Sequence, residues 1–251
     1  METEETVKEG LVTASKAKSI WLAFVDIVLF AVLSMIFLFL FAIPFALVFP
    51  ELKTEVGETN IYFQMLNEVL MLVSGLIAAC MVLGFRKLPF SGLGLSLKGW
   101  GRSLLRGALF VVFLYVVGFG LSLLLGAVEV VGFLFSPISL LVSLLLYFFV
   151  AVTEEVIGRG FILGRMLDGG INKFVALFIS AVLFSLMHLF NPNFAFVPFL
   201  NIMVAGCFLG ASYNIRVTSV SPLPCIGSGT GFKVLFWDIK SVEMNLAIRI
   251  C

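Results

Sequence analysis

The residues of this chain best suited to chemistry are Glu154-Glu155-Val156-Ile157-Gly158-Arg159 and, further on, Phe184-Ser185-Leu186-Met187-His188. Both runs lie in long apolar stretches, where an ionisable group is costly to insert and therefore requires a reason. Glu155 and Arg159 stand at i and i+4 on one helical face, where opposite charges pair. Glu154 points about 100° away from that pair. The two carboxylates should therefore divide in role, Glu155 held ionised by Arg159 and Glu154 working as a general base. The plainer alternative is a charge cluster meeting lipid headgroups at a helix end.

His188 is the only histidine of the chain. Glu154 lies roughly 16 Å along its helix from Arg165, and His188 roughly 22 Å along its own from Lys173. In antiparallel neighbours these depths are close enough for tilt to absorb the difference. A Glu and a His sharing a water inside the bilayer form a hydrolytic constellation: the carboxylate removes a proton while the imidazole orients the water or stabilises charge. On spacing alone, a transporter using Glu154, Glu155 and His188 as a proton relay reads the same way. Asn201 opens Asn201-Ile202-Met203-Val204-Ala205-Gly206-Cys207-Phe208-Leu209-Gly210, whose Gly206 and Gly210 make a small-residue face for close helix approach, within one chain or between two. For Asn201 itself a packing hydrogen bond is the simplest reading. Asp26 and Glu68 are isolated acids in the first two apolar segments, read as packing or interface positions.

The elements that must position these groups are membrane helices. Of 251 residues, 61% are hydrophobic, only 12% are charged, and 28 are Phe. With a mean hydropathy of +1.16, this composition excludes a freely soluble enzyme and calls for the bilayer as solvent. Six apolar segments are long enough to cross about 30 Å of hydrocarbon: roughly Ile20 to Phe49, with Pro44 as a point of kinking or shortening, Gln64 to Phe85, Leu104 to Val128, Ile138 to Met166, Phe174 to Phe190, and Phe194 to Tyr213. Basic residues alternate between loops as the positive-inside rule asks. Lys8, Lys16 and Lys18 precede the first segment, Lys53 alone follows it, and Arg86, Lys87, Lys98, Arg102 and Arg106 cluster before the third. The next loop has none, Arg165 and Lys173 join segments four and five, the loop after that has none, and Arg216 follows segment six. The expectation is an all-α, polytopic integral membrane protein of about six transmembrane helices, with both ends of the bundle cytoplasmic.

Residues 1–19 form a polar N-terminal tail lacking the short apolar run and cleavage site of a signal peptide, residues 20–213 a single helical domain, and residues 214–251 an atypical, non-spanning tail. A net charge of +1 argues against nucleic-acid partners. Cys80, Cys207, Cys225 and Cys251 have no metal or redox spacing, and no disulfide is expected.

Taken together, the motifs resemble the CPBP family of intramembrane proteases, which includes the type II CAAX prenyl endopeptidases and the bacteriocin-processing and self-immunity proteins. The family pattern is EExxxR on one membrane helix, FxxxH on the next, an Asn followed by small residues, and a final HxxxN. The first three are present in order between about Ile138 and Tyr213. The resemblance implies cleavage of a peptide or protein substrate, membrane-anchored in some members, by a glutamate-activated water: Glu154 as base, His188 its partner on the water, Glu155 and Arg159 as support, and Phe184 and Asn201 as supporting positions. On that mechanism no cofactor is required. Zinc, annotated for many members, would have only Glu154 and His188 as ligands here, an incomplete site. Non-catalytic immunity or scaffold proteins are the alternative within the family. A prokaryotic source would place the chain in the plasma membrane. Neither the substrate nor the oligomeric state follows from the sequence.

The final HxxxN is missing, because no histidine follows His188. Codons permitted for Cys225 to Val234, read from the third base, spell HWIWNWFQG, an apolar stretch that restores HxxxN. A one-nucleotide slip between about Asn214 and Val220 therefore accounts for the tail. In the family the lost His and Asn stabilise the oxyanion, so the chain as written is expected to be impaired. Resequencing the 3′ end of the gene should restore HxxxN and give an intact mass different from the 27.5 kDa of the sequence as it stands. A measured mass of that value would establish the tail as real.

Overall fold

The computed structural model describes residues 2–49, 61–93, 100–126, 128, 137–189, 191 and 194–217. Among the described residues every regular element is helical: α1 (Glu2–Val48), α2 (Ile61–Arg86), a 3-10 turn (Phe90–Leu93), α3 (Trp100–Leu124), α4 (Pro137–Glu154), a π-helical segment (Glu155–Leu163), α5 (Gly164–Asp168), α6 (Lys173–Leu186) and α7 (Phe196–Val217). Thr13–Val48, Ile61–Arg86 and Leu140–Asp168 are long and apolar enough to cross a membrane, and Lys173–Leu186 and Phe196–Ala211 are shorter apolar helices. Large apolar side chains stand outward, among them Phe39 and Leu47 on α1, Phe178 on α6 and Phe208 on α7. Hydrocarbon can solvate such faces and water cannot. The protein is a polytopic all-α membrane protein.

Several boundaries differ from those read in the sequence. The polar residues from Glu2 onward are already helical, and α1 runs through Pro44 to Val48. Arg102 and Arg106, counted above as loop charges, lie within α3. Segment five ends at Leu186, so His188 stands in the turn after α6. Segment six continues past Tyr213 to Val217. Apolar periodicity marks the middle of a span well, but polar residues in the first and last turns satisfy the helix equally and blur its ends. Lys53, Lys98 and residues 218–251 of the anomalous tail lie outside the described residues.

The described residues form two compact units, one from residues 2–39, 73–93 and 156–217, the other from residues 40–49, 61–72, 100–126, 128 and 137–155. In the second, Leu146, Ala151 and Thr153 of α4 are buried. The Thr153 hydroxyl reaches the Glu68 carbonyl at 3.4 Å, joining α4 to α2.

In the first unit, Phe30 of α1 stacks on Phe161 with ring centroids 4.1 Å apart, and Ala78, Ala79, Val82, Leu163 and Met166 complete an apolar core. One end of this unit is closed by charge. Asp26 is 0% exposed and accepts from Arg86 Nε at 2.7 Å and Arg165 Nη2 at 2.9 Å. Arg165, counted above with the loop charges, is instead buried, because Asp26 draws it inward and Asp168 holds its other nitrogen at 3.2 Å. Asp26 is correspondingly not isolated.

The helices entering this corner stop sharply. Lys87 turns left-handed at φ 56°, its N–H reaching the Gly84 carbonyl and that of Leu88 reaching Leu83. Gly170 does the same at φ 80° after α5, with the Gly170 and Ile171 N–H groups on Leu167 and Met166. Both closures satisfy terminal carbonyls that would otherwise be orphaned. Gly169 lies so close to α1 that a Cβ there would meet Ala23 Cβ at 2.7 Å.

Asp26→Ala leaves two guanidiniums without their shared carboxylate. It should destabilise the protein by about 3–5 kcal/mol, the range for breaking a buried ion pair from one side. The loss is read from the shift in a detergent-titration unfolding curve.

Candidate active site

The helix entered by α4 widens where the first motif begins. Glu155–Leu163 is wound as a π-helix, whose i to i+5 bonding is rare in long runs and frequent at functional sites. Gly158 and Gly160 lower the local preference for tight α winding. Glu154 is half-buried at the end of α4, and Glu155 is buried as the first residue of the wide segment. Residues four apart are no longer spaced as an α-helix would space them, so the i, i+4 argument for Glu155 and Arg159 describes this segment only approximately.

Arg159 is 1% exposed, between two glycines. Its guanidinium carbon lies 4.2 Å from the centroid of the Phe184 ring, a cation–π arrangement that gains strength when desolvated. Phe184 is itself buried on α6. One turn later its carbonyl lies 2.8 Å from His188 Nδ1, and its ring meets the imidazole edge-on at 4.9 Å. Phe184 thus contacts both the arginine of the first motif and the histidine of the second.

The hydrogen bond to Phe184 decides the tautomer. A carbonyl oxygen can only accept, so Nδ1 carries the proton, and in the neutral ring Nε2 presents its lone pair. In that neutral tautomer Nε2 is the acceptor nitrogen of the ring.

The turn bearing His188 is held by short local bonds, the His188 N–H to Ser185 and the Asn191 N–H to His188. It is also tied to α7: the buried Ser185 hydroxyl donates to the Phe199 carbonyl at 2.8 Å. Ser180 joins α6 to the wide segment through the Gly158 carbonyl at 3.4 Å. Neither serine stood out in the sequence, where a hydroxyl on an apolar helix gives no sign of its acceptor.

α7 packs on α6 through its small residues. A Cβ on Gly206 would lie 3.2 Å from Ala181 Cα, and one on Gly210 would lie 2.5 Å from Leu177 Cδ1. The small-residue face is therefore used within the chain. Asn201, read above as a packing hydrogen bond, is exposed on α7. At about 100° per residue it lies roughly 140° around the helix from Gly206 and 180° from Gly210, so the packing that buries the glycines turns it outward.

Among the described residues no three His, Cys, Asp or Glu side chains gather where they could hold a metal ion. Glu154 and His188 alone are fewer than the three protein ligands of a catalytic zinc centre. Cys80 and Cys207 are free thiols.

Residues 136–227, from just before α4 to beyond the end of α7, match the family model described as Type II CAAX prenyl endopeptidase Rce1-like. The likeness to that family covers this segment, a little over a third of the chain. The segment contains both motifs, the wide helix between the carboxylates and Arg159, and the turn bearing His188. No curated protein and no solved structure matches the chain.

Phe184→Leu keeps an apolar side chain but removes the ring beneath Arg159. It should cost about 1–2 kcal/mol and broaden or shift the His188 ring resonances, measured by thermal unfolding and by NMR of imidazole-labelled protein.

Proposed function

We propose that this chain is an intramembrane endopeptidase in which Glu154 and His188 activate a water. The ionised Glu154 takes a proton from the water, and the resulting hydroxide adds to a peptide carbonyl carbon. Protonated Glu154 then delivers its proton to the departing amide nitrogen as the C–N bond breaks, leaving a carboxylic acid and an amine and restoring the Glu154 carboxylate. His188 orients the water by accepting its second hydrogen at Nε2. Arg159 and Glu155 support Glu154 from the wide segment that begins just after it, and Phe184 joins Arg159 to the imidazole. The observation that carries this reading is the His188 Nδ1 contact to the Phe184 carbonyl, which sets the imidazole as an acceptor in a segment that matches a protease family. No step is routed through a metal.

The tetrahedral intermediate places negative charge on the former carbonyl oxygen, and the family assigns its stabilisation to a His and an Asn that this sequence lacks after His188. Loss of one such donor costs about 10²- to 10³-fold in rate. The chain as written is accordingly a slow enzyme, with the bilayer as its medium and a membrane-anchored peptide or protein as its substrate. The proposed orientation puts the N-terminus in the cytoplasm.

In liposomes, cleavage of a membrane-anchored reporter peptide should fall at least about 10²-fold in Glu154→Gln, the scale of general-base catalysis, and by a similar factor in His188→Ala. An immunity or scaffold role predicts that function survives Glu154→Gln, and a transporter predicts proton-coupled flux without cleavage. Either result would sink the protease reading.

A further inference from the structure

We propose that the charged corner of the first unit is a binding site for a zwitterionic phospholipid with a primary ammonium, such as phosphatidylethanolamine. This inference does not depend on the protease reading. A cleft of about 450 Å³ opens beside Arg165 and Asp168, with Leu83, Leu88, Leu93 and Phe161 along its wall. That volume falls within the roughly 300–1,000 Å³ of small-molecule sites. Arg165 is nine-tenths buried, and its Nε is buried with no hydrogen-bond partner among the described residues. A buried donor of a charged group is costly to leave unmade.

The charges around the cleft select the ligand. Asp26 offers one negative charge to two guanidiniums, Arg86 and Arg165, so that triad carries one positive charge in excess. Asp168 supplies the balancing negative charge with its side chain 60% exposed. A phosphate beside Arg165 and an ammonium beside Asp168 match this separation of charge. A purely anionic headgroup would meet Asp168, and a quaternary ammonium has no N–H to donate to it.

Depth selects the source. The apolar stretches Ile61–Arg86 and Leu140–Asp168 both end at this corner, so the cleft lies where headgroups lie. The half-buried Leu88 and the exposed Pro89 of its lining then offer apolar surface to an acyl chain.

The test uses the full chain in detergent, titrated with phosphatidylethanolamine, phosphatidylcholine, phosphatidylglycerol and free phosphoethanolamine, with bound lipid counted by native mass spectrometry. Phosphatidylethanolamine should bind about fivefold more tightly than the other two lipids, the worth of one partly exposed ion pair. The advantage should disappear in Asp168→Asn, which changes an exposed side chain. Leu88→Trp, which fills the cleft, should weaken phosphatidylethanolamine binding further. Equal binding of the three lipids, an unchanged preference in Asp168→Asn, or displacement of lipid by phosphoethanolamine at equal concentration would each overturn the proposal, the last by showing a site for a soluble headgroup.

Discussion

A charge buried in an apolar protein must be given its partner inside the fold, and Asp26 is where that requirement organises this chain. The carboxylate has no contact with solvent and is held by two arginines from other helices. Once it is committed to α1, the end of α2 must arrive with Arg86 and the end of α5 with Arg165. The left-handed closures at Lys87 and Gly170 let those helices stop at that level, and the missing side chain of Gly169 lets α5 approach α1 closely enough for the pair to form. Stability is only part of what such a buried cluster provides, since its desolvation cost offsets much of its attraction. Its stronger effect is on register: sliding any of the three elements by a residue would separate the charges.

That register reaches the candidate site through the wide helix. Phe161 is stacked on Phe30 within the same turn region that ends at Arg165, so the π-helical segment is pinned near its C-terminal side. Arg159 then lays its guanidinium over the face of Phe184. The backbone carbonyl of the same phenylalanine takes the Nδ1 hydrogen of His188. An imidazole constrained in this way does not need a carboxylate to fix its tautomer. In the proposed hydrolysis the task of a carboxylate is instead proton removal, assigned to Glu154.

How much of this was legible in the sequence differs from residue to residue. The two motifs were legible because each is local: EExxxR runs from the last residue of α4 into the wide segment, FxxxH from α6 into the turn after it, and the composition places the surrounding helices in a membrane. The match of residues 136–227 to a CAAX-protease family model accords with that reading. Asp26 was not legible, because its partners lie 60 and 139 positions away, and an acid in an apolar helix looks isolated until the helices are assembled. Arg165 was read as a loop charge for the same reason. The π winding of Glu155–Leu163 escaped because periodicity arguments assume 3.6 residues per turn. Asn201 illustrates the converse: it was drawn to notice by its chemical type, while the helix face used for packing was dictated by Gly206 and Gly210, which lie largely on the other side.

The missing last motif bears on the chemistry unequally. Water activation and oxyanion stabilisation act at the same transition state but through separate groups. The first needs a base and an oriented acceptor, assigned here to Glu154 and the lone pair of His188 Nε2. The second needs donors aimed at an oxygen that becomes charged only as the hydroxide adds. Arg159 is an unsuitable substitute, since its guanidinium is almost wholly buried against Phe184. His188 is unsuitable as well, because its proton is committed to the Phe184 carbonyl and its other nitrogen accepts. Under the proposed mechanism the described residues supply a nucleophile and leave the anion it creates to be stabilised by groups beyond them. A corrected reading frame would place an HxxxN segment there, and the sequence as written would not.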